Sequence, residues 1–271
     1  MTHVPTTTDR PTQRPVGELM RHWRERRGLS QLVLATRAQV STRHLSFLET
    51  GRSSPSRDML LRLAEQLELP HREQNHLLLA AGFAPAFTDS PLDAREMAPV
   101  RDTLRQILAG HDPLPALVVD RGWNIVEHNR GFAVFTEGAA PHLLRGPMNA
   151  LRLALHPEGM APRILNFAEW RAHLLTRLQR RVALTAEPRL TELLREVAGY
   201  PHTGPEPDLP PPELPAGGDL MVPLRIGHRG EELSLFCTIA TFGMPLDITV
   251  AELAIETFFP ADAATAALLR G

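Results

Sequence analysis

The chain of 271 residues holds one cysteine, Cys237, and no lysine. A lone thiol excludes an internal disulfide and fits a cytoplasmic home. That every basic side chain of fixed charge is arginine reads as compositional bias, not as a functional device. No apolar run approaches the ~20 residues that cross a bilayer, so a membrane is not an expected partner. Residues 1–15 are polar, carry arginines and lack an apolar stretch. They read as a flexible arm and not as a secretory signal. A phosphate-binding glycine loop and a nucleophile elbow are both missing. His71 and His76 lie five apart, and His142 and His156 lie far apart in sequence. Neither pair has zinc-site spacing, and only one thiol is present. The sequence therefore predicts no enzyme, no metal and no cofactor.

What is present points elsewhere. The length gives room for about two domains. The net charge of −2 conceals an asymmetry: residues 1–84 carry +4 and residues 85–271 carry −6. A basic head on an acidic body suits a DNA-binding unit joined to a unit that does not bind DNA. Helical periodicity starts near Gly17, with Leu19, Met20 and Trp23 apolar, and stops at Gly28. Ser30 caps a second helix running to about Ala38, with Leu32 and Ala35 expected on its buried face. Ser41 caps a third, with Leu45 and Leu48 inward and Gly51 ending it. Pro55-Ser56 opens a fourth, carrying Met59, Leu60, Leu63 and Leu67. Pro70 opens a fifth, with Leu77, Leu78 and Ala81 inward. Five short helices make an all-α domain over 16–84.

Residues 85–112 read as a linker followed by a bridging helix near 100–108. The period then changes. Ala116–Asp120 and Trp123–Glu127 read as two strands of a hairpin about a turn at Arg121-Gly122. Asn129 caps a short helix to about Phe135. Segments 143–155 and 166–198 read as helices. Seven prolines between Pro201 and Pro215 exclude helix and central strand there, and a connecting loop is expected. Strands at 220–226, 231–241 and 252–259 and a last helix at 262–269 complete an α+β domain over 113–271. It should be an antiparallel sheet with helices on one face.

The run Ser30–Arg52 has the layout of a helix-turn-helix. The second helix of such a motif lies in the major groove, and its first residues touch bases. Thr42, Arg43, Ser46 and Phe47 are candidates for that outward face. Arg43 can donate two hydrogen bonds to guanine, and Phe47 can meet a thymine methyl. Gln31, at a helix N-terminus, is placed for a phosphate, and Arg37 and Arg52 are further phosphate candidates. A structural helix pair could share the geometry. Here the whole run agrees: Ser30-Gln31, Leu34-Ala35, Val40-Ser41, Leu45, Leu48-Glu49, Gly51-Arg52, Pro55-Ser56 and Leu63-Ala64. It resembles the Cro/CI-type (XRE) helix-turn-helix proteins, a lambda-repressor-like fold. That resemblance implies base contacts from Thr42, Arg43 and Phe47 and a phosphate contact from Gln31.

The resemblance extends further. Leu77–Gly82, Pro115–Asp120, Trp123, Asn129, Leu155-His156-Pro157, Trp170, Glu252-Leu253 and Pro260-Ala261-Asp262 are similar to the MmyB-like transcription regulators. Membership in that family implies a PAS-like C-terminal domain with a five-stranded antiparallel sheet. It also implies an apolar pocket for a fatty-acid-like or other hydrophobic molecule, and a homodimer on a pseudo-palindromic double-stranded operator. Trp123, Phe132, Phe135, Phe167, Trp170, Phe236 and Phe242 concentrate in this half. Trp123, His128, Phe132 and Trp170 are the ligand-site candidates, although each could serve only as core or surface. A haem or flavin sensor is the minor alternative, with His128, His156, His173 or Cys237 as possible axial ligands. A ligand-free interaction module is another.

Overall fold

A computed structural model of the chain describes residues 15–185, 187–201, 222–243, 245 and 247–270. The arm before Pro15 and nearly all of the proline-rich loop lie outside the described residues. The chain divides into two units, one ending at Asp89 and the other beginning at Ser90. A short stretch at 247–248 groups with the first.

The first unit is five helices: α1 (Val16–Arg26), α2 (Gln31–Arg37), α3 (Thr42–Glu49), α4 (Arg57–Gln66) and α5 (His71–Ala80). Three serines start three of them as the sequence predicts. The hydroxyls of Ser30, Ser41 and Ser56 accept the N–H groups of Val33, His44 and Met59. Each such cap contributes about 1 kcal/mol. Met20, Trp23, Leu34, Leu45, Leu48, Leu60, Leu63, Leu77 and Leu78 are buried in the shared core. Full burial of one such leucine contributes roughly 1.5–3 kcal/mol. One expectation fails. Leu32 is 64% exposed, and Leu34 and Ala35 are the buried pair on α2. The run Gln-Leu-Val-Leu-Ala fits two helical faces, and packing against α3 selects the second.

Residues 83–89, of which 85–89 are expected in the linker, dock on α5. The buried Asn75 amide donates to the Phe87 carbonyl at 2.8 Å and accepts the N–H groups of Ala86 and Phe87. The His71 ring stacks on Phe87 at 3.8 Å, and Arg72 grips Asp89 with both arms. A chain segment tied through its own backbone polar groups is part of the domain that satisfies them.

The second unit is a five-stranded antiparallel sheet of order β2-β1-β5-β4-β3. Its strands are β1 (Ala116–Val119), β2 (Ile125–His128), β3 (Leu224–His228), β4 (Glu231–Ala240) and β5 (Ala254–Pro260). The helices are α6 (Ala98–His111), α7 (Ala133–Thr136), α8 (Pro141–Leu144), α9 (Ala150–Leu155), α10 (Phe167–Thr185), α11 (Pro188–Ala198), α12 (Ile248–Glu252) and α13 (Ala263–Arg270). Segment 143–155 breaks in two because Gly146 (φ 70°) and Pro147 interrupt it. Segment 166–198 breaks before Pro188, which starts α11 and cannot continue a helix.

Both sheet faces are covered, not one. Leu117, Val119, Leu224, Leu233, Leu235 and Phe258 join α9, α10 and α11 in the main core. The alternate residues Ala116, Val118 and Ile255 join Leu104 and Leu108 of α6. The helix expected to bridge the domains thus packs on the sheet, as the strand period of two requires. Asn129 secures that junction. Its carbonyl oxygen accepts the N–H groups of Ala116 and Phe132, and its nitrogen donates to the carbonyls of Leu108 and Leu114.

Candidate DNA-reading face and ligand cavity

In the first unit α3 is held from beneath. Leu45, Leu48 and Glu49 are buried. Arg24 on α1 grips Glu49 with both arms, Nε to Oε1 at 2.6 Å and Nη2 to Oε2 at 2.9 Å. The hydrogen bonds to Glu49 raise the Arg24 pKa further above its already high ordinary value, while burial opposes this. Gly17 lets α1 approach the end of α3. A Cβ there would lie 2.3 Å from the Leu48 carbonyl oxygen.

The opposite side of α3 carries Thr42, Arg43, Ser46 and Phe47, paired at i and i+4 along one face. Arg43 and Arg52 are exposed, and Thr42, Ser46 and Phe47 are partly buried. Two guanidiniums lie near the Phe47 ring, with the Arg43 carbon 5.3 Å and the Arg52 carbon 5.9 Å from its centre. Each contact is worth about 0.5–1 kcal/mol at an exposed site. It holds two cations on the outward face. Gln31 Nε2 donates to Glu49 Oε2 at 2.8 Å. One amide hydrogen is thereby used and one remains for a phosphate. The Arg24–Glu49 pair therefore orients Gln31 as well as anchoring α3, a link that 18 residues of separation hide in the sequence. Arg37 is exposed at the end of α2.

In the second unit a cavity of about 50 Å³ lies between the sheet and α9–α10. Trp123, Phe132 and Trp170 line it, together with Phe135, Phe258 and Met160. Trp123 holds a left-handed backbone (φ 60°), unusual for a bulky residue. The turn around it is tied by Asp120, whose carboxylate accepts the N–H groups of Gly122 and Asn124.

His128 does not line the cavity. It is exposed, and its ring rests on the far side of Phe132 at 4.7 Å. A register shift between Val118 and Val119 pairs His128 with the lining residue Leu117, so it shares that sheet face, but at the end of β2 it is exposed and stacks on Phe132 outside the lining. Phe236 leaves the list because it alternates on β4 with the core residue Leu235, and it stacks on Phe259 at 5.4 Å. Phe242 packs beside α6. Of the possible axial ligands, none of His128, His156, His173 and Cys237 is in the lining. Burial pushes the Cys237 thiol up to about 12, the state of an unreactive thiol.

Two charged lining residues went unnoticed in the sequence: Arg177 and Glu256. Arg177 follows Trp170 and Leu174 at i+7 and i+3, on one face of α10. Glu256 interrupts the apolar run of the central strand, and that charge in a central strand was the available signal. Separately, His142, His156 and Glu158 bring ligand atoms within 4.8 Å of one another, although sequence spacing kept the two histidines apart. His156 Nδ1 already accepts the Glu158 N–H at 3.1 Å, so the proton of a neutral ring sits on Nε2.

Residues 15–77 match the family described as helix-turn-helix domain. Residues 100–271 match the family described as MmyB-like transcription regulator ligand binding domain. A helix-turn-helix followed by a ligand-binding domain defines the transcription-regulator class. Within it, this chain belongs to the MmyB-like transcription regulators. No curated protein matches the chain. Among solved structures it is similar to that of an RNA-binding light-oxygen-voltage receptor, at 13% identity and a TM-score of 0.25. That match covers 97% of this chain and 61% of the other, so this chain spans under two thirds of that protein. No described helix is long and apolar enough to cross a membrane.

Proposed function

We propose that the protein is a cytoplasmic, dimeric transcription regulator and not an enzyme. In this reading α3 reads an operator while the PAS-like domain takes a hydrophobic small molecule of fatty-acid type. The observation that carries the DNA reading is the outward row Thr42, Arg43, Ser46 and Phe47 on a helix anchored by the sealed Arg24–Glu49 pair. Arg43 donates to guanine, Phe47 meets a thymine methyl, and Gln31, Arg37 and Arg52 hold phosphates. Two copies would read half-sites about 10 bp, or roughly 34 Å, apart or at multiples of that. Selection of bound sequences from random DNA tests this. Arg43→Ala should relax preference at one position by about 1–3 kcal/mol, whereas Gln31→Ala should weaken all sequences alike. Unchanged sequence logos and affinities in both variants would sink the assignment.

The ligand reading rests on the apolar cavity walled by Trp123, Phe132 and Trp170. At about 50 Å³ it is far below the ~300–1,000 Å³ of ordinary ligand sites. An acyl chain must therefore part the walls, and Met160, with three soft torsions, is the wall residue best able to yield. Ligand controls DNA binding only through a difference in affinity between two arrangements of the dimer. Native mass spectrometry of the purified protein tests for a retained apolar molecule. Added ligand at about a hundred times its Kd should stabilise the fold by about 2.7 kcal/mol.

A further inference from the structure

Three ligand-bearing side chains meet on the second unit, outside the lining of the apolar cavity. His142 stands on α8, and His156 and Glu158 follow α9 directly. The backbone builds the frame that joins them. The Ala140 N–H, just ahead of α8, donates to the Glu158 carbonyl at 2.8 Å. The Gly159 N–H donates to the His156 carbonyl and the Met160 N–H to that of Leu153, both at 2.8 Å. Glycine is needed in this turn, because a Cβ on Gly159 would lie 2.3 Å from the Leu153 carbonyl oxygen. Pro141 and Pro157 each adjoin one of the histidines and fix φ beside it. The His156 ring meets those of His142 and Tyr200 near right angles, at 5.3 and 4.9 Å between centres.

The side chains on this frame are little committed. His142 and Glu158 are exposed, and among the described residues neither the ring nor the carboxylate has a hydrogen bond or ion pair. The neutral His156 ring has its lone pair on Nδ1, now turned to the Glu158 N–H. An ion can take over that lone pair without first removing a proton. Two imidazoles and one carboxylate form a nitrogen–oxygen set that suits zinc and its first-row neighbours, whereas magnesium and calcium favour oxygen alone. Ligand atoms sit about 2.0–2.2 Å from zinc, so two of them lie at most about 4.4 Å apart. The three ligand atoms here lie within 4.8 Å of one another, and rotation of the exposed His142 and Glu158 side chains draws them in.

We propose that His142, His156 and Glu158 bind a divalent transition-metal ion, Zn²⁺ by preference, with water completing its coordination. The ion staples α8 to the turn after α9. This reverses the absence of metal expected from sequence spacing. Spacing detects ligand pairs set close along the chain, and here the Ala140–Glu158 backbone bond brings distant ones together.

Titration calorimetry of the metal-free full chain with zinc chloride and magnesium chloride tests this. One Zn²⁺ should bind per chain, and excess Mg²⁺ should not displace it. His142→Ala and Glu158→Gln should each weaken zinc at least about tenfold, the smallest usual cost of losing even an outer-shell partner. His76→Ala, on α5 of the other unit, should change nothing. Zinc should raise the thermal midpoint of the natural chain and leave that of the two site variants nearly unmoved. Without zinc all the chains should melt together, because the substituted side chains are exposed; this separates lost ligation from lost fold. Cobalt(II) in place of zinc should give a visible absorption without a thiolate charge-transfer band, and the site variants should lose it. Failure of the natural chain to bind zinc overturns the site. So does binding that survives both substitutions, which marks an adventitious ion only, and so does a thiolate band, which would place the metal on Cys237.

Discussion

The two units each bury an arginine–glutamate pair, and the pairs are built differently. Arg24–Glu49 is closed: two arms, two oxygens, and a carboxylate side chain 2% exposed. Arg177–Glu256 is joined by one arm at the edge of a cavity. A closed pair has its polar groups answered and serves position. A pair joined through one arm leaves guanidinium donors uncommitted beside the cavity. A third pair, Arg152–Glu196, is two-armed like the first but lies at the surface, 43% and 39% exposed. Pair geometry and burial therefore vary independently here, and the three pairs separate their effects.

The largest effect is expected at the sealed pair. Glu49→Ala leaves Arg24 buried without its partner and frees Gln31, and should cost about 3–5 kcal/mol in chemical denaturation of the chain. A loss below 1 kcal/mol would mean the pair is not what anchors α3. Next comes the close approach beside it. Gly17→Ala drives a methyl against the Leu48 and Glu49 carbonyls and should cost about 1–3 kcal/mol, read by the same unfolding curves.

The smallest effect belongs to the surface pair, and it is read by pH. The Arg152 hydrogen bond holds the Glu196 carboxyl below its ordinary 4.5. Its contribution is present above that pH and is lost as pH falls through the lowered value. The Tyr200 hydroxyl donates to Glu196 at 2.6 Å, and burial first, then this bond, pushes the phenol up to about 12. That contribution is complete below pH 10 and is lost as pH rises through about 12. Tyr200 is the one tyrosine of the chain, so its ultraviolet titration is unambiguous. Glu196→Gln should bring the phenol back toward 10 while changing stability by less than about 1 kcal/mol. A phenol that titrates near 10 in the natural folded chain would show that the pair is not formed.

Much of this fold was legible because its signals are local. Ser30, Ser41, Ser56 and Asn129 announce helix starts within three residues of the N–H groups they accept. The valine-bearing apolar run at 116–119 and the alternation around Leu233, Ser234 and Leu235 show strands without reference to partners. The misplaced residues share a different cause. Leu32 and Leu34, and likewise Leu235 and Phe236, are nearby apolar residues of which only one faces the core. The choice depends on what packs against them. His128 is the exception: it shares the face of Leu117 through a register shift, and its place at the end of β2 keeps it out of the lining. Arg177 and Glu256 stand 79 residues apart and become a pair only when α10 crosses β5. Distance in sequence hides a pair of this kind, although the lone acid in a central strand marks half of it.

The placement of tryptophan has an optical consequence. The chain has three, and two of them, Trp123 and Trp170, form the cavity wall, while Trp23 lies in the helical unit. The Arg177 guanidinium sits against the Trp123 indole. Any molecule that parts those walls or draws that cation away changes the surroundings of two of the three emitters at once. The protein's own fluorescence is therefore weighted toward its cavity, and the emission of the unlabelled chain can follow occupancy in solution.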